Sequence, residues 1–122
     1  MNAIPDSNQT MTNIKSTHSV GDTLDKLEEI LTAKGMNVFA RINHSAAATK
    51  AGMELRPTEL IIFGNPEIGT KLMNSSQSIA IDLPLKMLGW QDANGTVWLA
   101  TTILIFLKIV MLPRVATKCS TK

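Results

Sequence analysis

Residues 59–70, Glu59-Leu60-Ile61-Ile62-Phe63-Gly64-Asn65-Pro66-Glu67-Ile68-Gly69-Thr70, decide the fold of this 122-residue chain. Leu60 to Phe63 is a short, continuously apolar run ended by Gly64, the pattern of a strand buried on both faces. Asn65 offers a side-chain oxygen to cap a helix, and Pro66 suits the first helical position, where a missing N–H costs nothing. Glu67 then falls in the first turn, where a carboxylate complements the positive end of the helix dipole. The stretch therefore predicts a strand running straight into a capped helix, a junction that often faces ligands. Neither a GxGxxG nor a GxxxxGK[ST] pattern is present, so the residues specify no phosphate cradle.

Working outward, the chain reads as one domain with a single core. Residues 1–10 are polar and read as a disordered leader without the apolar segment of a secretory signal. Met11 to Thr17 suggests a first strand, with Ile14 as its apolar anchor. Ser19 and Asp22 resemble a capping box, and Leu24, Leu27, Ile30 and Leu31 recur at helical spacing, predicting a helix over Val20–Lys34 stopped by Gly35. Met36 to Asn43 alternates strictly, with Met36, Val38, Ala40 and Ile42 on one face and Asn37, Phe39, Arg41 and Asn43 on the other. Ser45 would cap a short helix from Ala46 to Ala51, closed by Gly52.

On the far side of the anchor, a short helix from Pro66 to Met73 is expected to break at Gly69. Ile79 to Leu83 is too short to classify, and Pro84 bars its continuation. Leu85–Gln91 and Thr96–Thr102 read as strands joined at Asn94-Gly95, a pair suited to a type I′ turn, which would bring Trp90 beside Trp98.

Charge and composition exclude several classes. The net charge of +2 argues weakly for any polyanionic partner. There is no Tyr, and basic and aromatic residues do not interleave, so nucleic acid is not expected as a partner. The seven methionines are scattered as gap fillers, and His44 has no ligand partner at metal-binding spacing, so neither a metal nor a cofactor is expected. Cys119 is the single cysteine; with no disulfide framework and no export signal, the expected compartment is the cytoplasm.

In order and spacing, several pieces resemble the bacterial and archaeal family called domain of unknown function 302. They are Thr23-Leu24-Asp25-Lys26-Leu27, then Val38-Phe39-Ala40-Arg41-Ile42-Asn43-His44, and Ala51-Gly52-Met53-Glu54-Leu55-Arg56-Pro57-Thr58. Phe63-Gly64-Asn65-Pro66, Ile81-Asp82-Leu83-Pro84-Leu85 and Gly95-Thr96-Val97-Trp98 complete the set. The resemblance covers about Ser19 to Ala100. It implies an α+β domain of β-α-β(4)-α order, a curved antiparallel sheet with helices on one face, similar to the TATA-binding-protein-like class. It also implies a homodimer, and it implies no established reaction.

Residues 11–102 form the family-like domain; 103–122 depart from it. Ile103 to Leu112 is apolar but interrupted by Lys108, and is shorter than the roughly 20 residues of a membrane span. A shifted reading frame at the end of the coding sequence would account for so abrupt a change.

The residues and the resemblance together lead to a small module, dimeric as the resemblance implies, that binds a small molecule or a protein partner. His44, Arg56, Asn65 and Asp82, at junctions that end strands, are the ligand-binding candidates, with Asp82 expected to be partly buried and paired with Arg41 or Arg56. The first alternative is an enzyme using His44 and Asp82 as an acid/base pair, for which no nucleophile stands at suitable spacing. A second is attachment to a membrane surface through Ile103–Leu112 and the basic tail.

Overall fold

A computed structural model describes residues 11–102. The chain forms β1 (Met11–Ser16), α1 (Val20–Ala33), β2 (Asn37–Asn43), α2 (His44–Lys50), β3 (Thr58–Gly64) and α3 (Pro66–Ser75). A 3-10 helix (Gln77–Asp82), β4 (Leu85–Gln91) and β5 (Val97–Thr102) follow. The five strands make one antiparallel sheet in the order β1-β5-β4-β3-β2. This is the α+β class expected from the sequence. The leader and residues 103–122, including Ile103–Leu112, lie outside the described residues.

Helix α1 begins where the capping pattern places it: the Asp22 N–H donates to Ser19 Oγ at 3.1 Å. Gly35 turns the chain out of the helix at φ 86°, a conformation that costs glycine little. The helix lays Val20, Leu24 and Leu31 on the sheet, where Leu24 packs in one core with Ile61, Phe63 and Leu85. Gly89 of β4 permits this approach: a Cβ there would meet Val20 Cγ1 at 3.2 Å and Leu24 Cγ and Cδ2 at 3.3 Å. Ile30 points away from the core and is half exposed, because the sheet meets a narrower stripe of α1 than the apolar spacing suggests.

The anchor strand is buried on one face rather than two. Ile61 and Phe63 are wholly buried under α1, whereas Leu60 and Ile62 on the opposite face are only half-buried. Ile14 is not the anchor of β1 either. It sits opposite Leu99 near the edge of the sheet and is half exposed.

Strand β2 carries the largest departure from expectation. Val38 pairs with Phe63 and Ala40 with Ile62, so Phe39 is an extra residue, a β-bulge. The bulge resets the alternation. Val38 and Arg41 share the α1 side, opposite Phe63 and Ile61, while Ala40 and Ile42 share the other. Both Phe39 and Ala40 are apolar, so the extra residue leaves no mark on the hydrophobic pattern.

Three smaller corrections have local causes. Asn43, not Ser45, caps α2: its Oδ1 accepts from the Ala46 N–H at 2.8 Å and from Ser45 Oγ at 2.7 Å. Helix α3 runs through Gly69 to Ser75 without a break. The β4–β5 connection is not a type I′ turn, since Gly95 alone of the pair has positive φ, at 88°. Its N–H donates to the Asp92 carbonyl at 3.0 Å, while Asp92 Oδ1 accepts from the Asn94 and Thr96 N–H groups at 2.9 Å each. Trp90 and Trp98 do meet as a cross-strand pair, with ring centroids 6.5 Å apart.

Candidate functional site

The strand-to-helix junction that decides the fold also forms the wall of a cleft. At the end of β3 the chain turns from Gly64 through Asn65 into α3, and the 3-10 helix returns against α3 before Leu83 and Pro84 lead into β4. Between them lies a cleft of about 420 Å³, bounded chiefly by Phe39, Gly64, Pro66, Met73, Leu83 and Pro84. The bulge supplies one wall, since Phe39 lies over Gly64, its Cε2 3.2 Å from where a Cβ would stand. Asn65 and Thr70 are polar residues on the wall, and among the described residues no charged side chain borders it.

Asn65 is committed to the fold. Its Oδ1 accepts from the Glu67 N–H at 2.9 Å and the Ile68 N–H at 3.1 Å, and its Nδ2 donates to the Gly35 carbonyl at 3.4 Å. The Gly69 N–H donates to the Asn65 carbonyl at 2.8 Å. The N–H groups that would receive an anion at the start of α3 are therefore already satisfied.

The four sequence-derived candidates fall into two groups at opposite ends of β3. His44 begins α2 beside the first residues of β3, and Arg56 lies in the loop before that strand, its Nε donating to the Gln91 carbonyl at 3.2 Å. Asn65 and Asp82 lie at the other end, where β3 finishes and β4 begins. Seven residues of β3, roughly 20 Å of strand, separate the two groups, so His44 and Asp82 are not brought within proton-transfer reach. Asp82 is exposed rather than buried, beside an Ile81 that is 85% exposed, because the 3-10 helix turns both toward water. Neither arginine pairs with it.

Arg41 instead forms an ion cluster that strict alternation hides. Its Nη1 donates to Asp25 at 2.7 Å and Glu28 at 3.1 Å, both on α1, and its Nε donates to Glu59 of β3 at 3.0 Å. Chiefly through the Glu59 bond, the cluster raises the guanidinium pKa further still, so Arg41 is a fixed cation tying helix to sheet. One sequence signal was available: Asp25 and Glu28, three apart, share a helix face. Asp92 is held below the usual carboxylate range, first by the Trp98 indole N–H donating at 2.9 Å and then by the Thr96 and Asn94 N–H groups. Among the described residues no cluster of His, Cys, Asp and Glu has the makings of a metal site, and no helix is long and apolar enough to cross a membrane.

Comparison with known proteins places these features in a family. The chain is 49% identical over 86 residues to a protein of Brucella suis named fluoride-specific ion channel FluC 1, covering 70% of this chain and 34% of that one. Proteins of Brucella abortus, named FluC 1, and Brucella melitensis, named FluC 2, match over 86 residues at the same 49% identity, with 32% of each covered. The chain thus spans about a third of the length of the curated relatives it matches.

Among solved structures, an uncharacterised conserved protein from Bacillus stearothermophilus superimposes with a TM-score of 0.72 at 20% identity, over 84% of this chain and 80% of that one. The two share the fold. The family model described as Domain of unknown function DUF302 matches residues 12–117, past both ends of the Ser19–Ala100 resemblance and into the tail that reads as a departure from it. The chain belongs to the DUF302 family.

Proposed function

We propose that this domain is a binding module, dimeric and cytoplasmic, whose ligand site is the cleft between the Phe39 bulge, α3 and the 3-10 helix. The observation that carries this reading is the cleft itself. It has about 420 Å³ of space, largely apolar walls and two polar side chains, which is the usual make-up of a small-molecule site. His44 and Arg56 take no part in it, and Asp82 stands outside its walls. Catalysis by a His44–Asp82 pair finds no support in their placement at opposite ends of β3.

Native mass spectrometry of the gently purified full-length chain tests the proposal. The expected result is a dimer carrying a defined extra mass that dissociates at raised collision energy. A chain that carries no adduct, and acquires none from an extract of its expression host, overturns the ligand reading. A monomer overturns the dimer.

A second reading draws on the relatives. Their names describe fluoride channels, and about two thirds of their length lies outside the match. We propose that the matched segment is an accessory domain standing in water beside a membrane channel. Tagged chain recovered from detergent-solubilised membranes should bring such a channel with it. Recovery of the tagged chain alone counts against this reading.

A further inference from the structure

We propose that the cleft selects an uncharged, largely apolar molecule and rejects anions of the same shape. The inference rests on the cleft being the binding site and adds the chemical class of its occupant. Two features converge on it. The walls of Phe39, Pro66, Met73, Leu83 and Pro84 offer dispersion and ring-stacking contacts but no ionic partner. The start of α3, the natural anion receptor at this junction, is closed, because Asn65 Oδ1 occupies the Glu67 and Ile68 N–H groups. An anion entering the cleft would lose hydration and meet no cationic side chain among the described residues, whereas a neutral ring loses little and displaces water from apolar surface. Thr70, a polar residue of the wall, suits one polar substituent.

The test uses a matched pair of probes, 2-naphthol and 2-naphthoate, titrated at pH 7 into the full-length chain while the backbone amide signals are followed by NMR. The variant is Gly69→Leu. A Cβ at Gly69 would stand 3.8 Å from Leu83 Cδ1 and 3.9 Å from Met73 Cε, ordinary contact distances, so a longer side chain fills the cleft without a clash at its root. Replacing a helical glycine also favours α3. Thr70→Trp, at an exposed position on the same helix, makes the same test if Gly69→Leu does not fold.

The expected result is saturable naphthol binding with shifts centred on Gly64, Gly69 and Thr70. Naphthoate should bind at least about tenfold more weakly, and the variant should lose at least about tenfold in naphthol affinity. Naphthoate binding as tightly as naphthol at these same amides overturns the ligand class and leaves the binding reading intact. Binding by neither probe overturns the ligand class as well. An adduct mass in native spectra that Gly69→Leu leaves unchanged overturns the cleft as the site, and with it the ligand class proposed for it.

Discussion

Gly89→Ala is the smallest change that tests how α1 is held on the sheet. Gly89 lies on β4, buried beneath the helix, and the added methyl would stand 3.2 Å from Val20 Cγ1 and 3.3 Å from both Leu24 Cγ and Cδ2. All of these atoms belong to α1 side chains at most 4% exposed, so none can swing into solvent. Overpacking of this kind costs about 1–3 kcal/mol. Loss of glycine's freedom in the unfolded chain returns about 0.4–1 kcal/mol, leaving a net destabilisation of about 1 kcal/mol.

Leu24→Ala alone opens a cavity and costs about 2–5 kcal/mol. In that background the Gly89→Ala methyl loses its two Leu24 contacts and keeps only the Val20 Cγ1 contact, so its cost should fall, a coupling of about 1 kcal/mol. Urea unfolding followed by the fluorescence of Trp90 and Trp98 measures all four corners of the cycle. If Gly89→Ala costs the same with and without Leu24, the helix is not seated on Gly89 and the reasoning fails.

Three other expectations follow from the same structure. Arg41→Met strands the Glu59 carboxylate, whose side chain is 13% exposed, and should cost about 2 kcal/mol in urea unfolding; adding Glu59→Leu should recover most of it, and an inert Arg41→Met would deny the cluster its clamping role. Asp92 has a depressed pKa, so its contribution to stability is present above the ordinary carboxylate range and is lost as pH falls through the lower folded value; acid titration of Trp98 fluorescence should show this loss in the native chain and not in Asp92→Asn, and identical profiles would refute it. Deleting Phe39 removes the extra residue of the bulge, so Arg41 should keep its carboxylates, and near-native urea stability with no naphthol binding is expected; a chain that fails to fold would show that the bulge holds the sheet together.

Much of the fold was legible because its signals are local. The Ser19 cap, the Gly35 stop, the Asn65-Pro66 start of α3 and the strand Leu85–Gln91 each depend on residues adjacent in sequence, and each appears where the pattern places it. Features set by contacts distant in sequence were not legible. The solvation of Ile14 and Ile30 depends on how far α1 extends over the sheet, and the exposure of Asp82 depends on which way the 3-10 helix turns. The Asn94-Gly95 pair invited a two-residue turn, but Asp92 binds the loop's N–H groups through its own carboxylate and selects a longer one. For the candidate site, Asn65, a ligand-binding candidate from the sequence, lines the cleft, while His44, Arg56 and Asp82 do not. Phe39 was missed because an aromatic residue in an alternating strand looks like ordinary packing.

The bulge at Phe39 links the two features that most define this chain. A regular β2 that kept Phe39 in the ladder would set Arg41 on the face away from α1, where Asp25 and Glu28 could not reach it. One extra residue restores Arg41 to the α1 side, opposite Ile61, and leaves Phe39 without a partner in the ladder. The ring then lies over Gly64, where any side chain would displace it, and forms one wall of the cleft. The two consequences are separable in energy. The Arg41 cluster binds helix to strand through charge-assisted hydrogen bonds. Phe39 remains 55% exposed, so it contributes little to burial in the isolated chain. A large aromatic ring held half in water by a backbone irregularity adds little to folding stability, whereas the surface it presents is the kind that gains free energy when a ligand covers it.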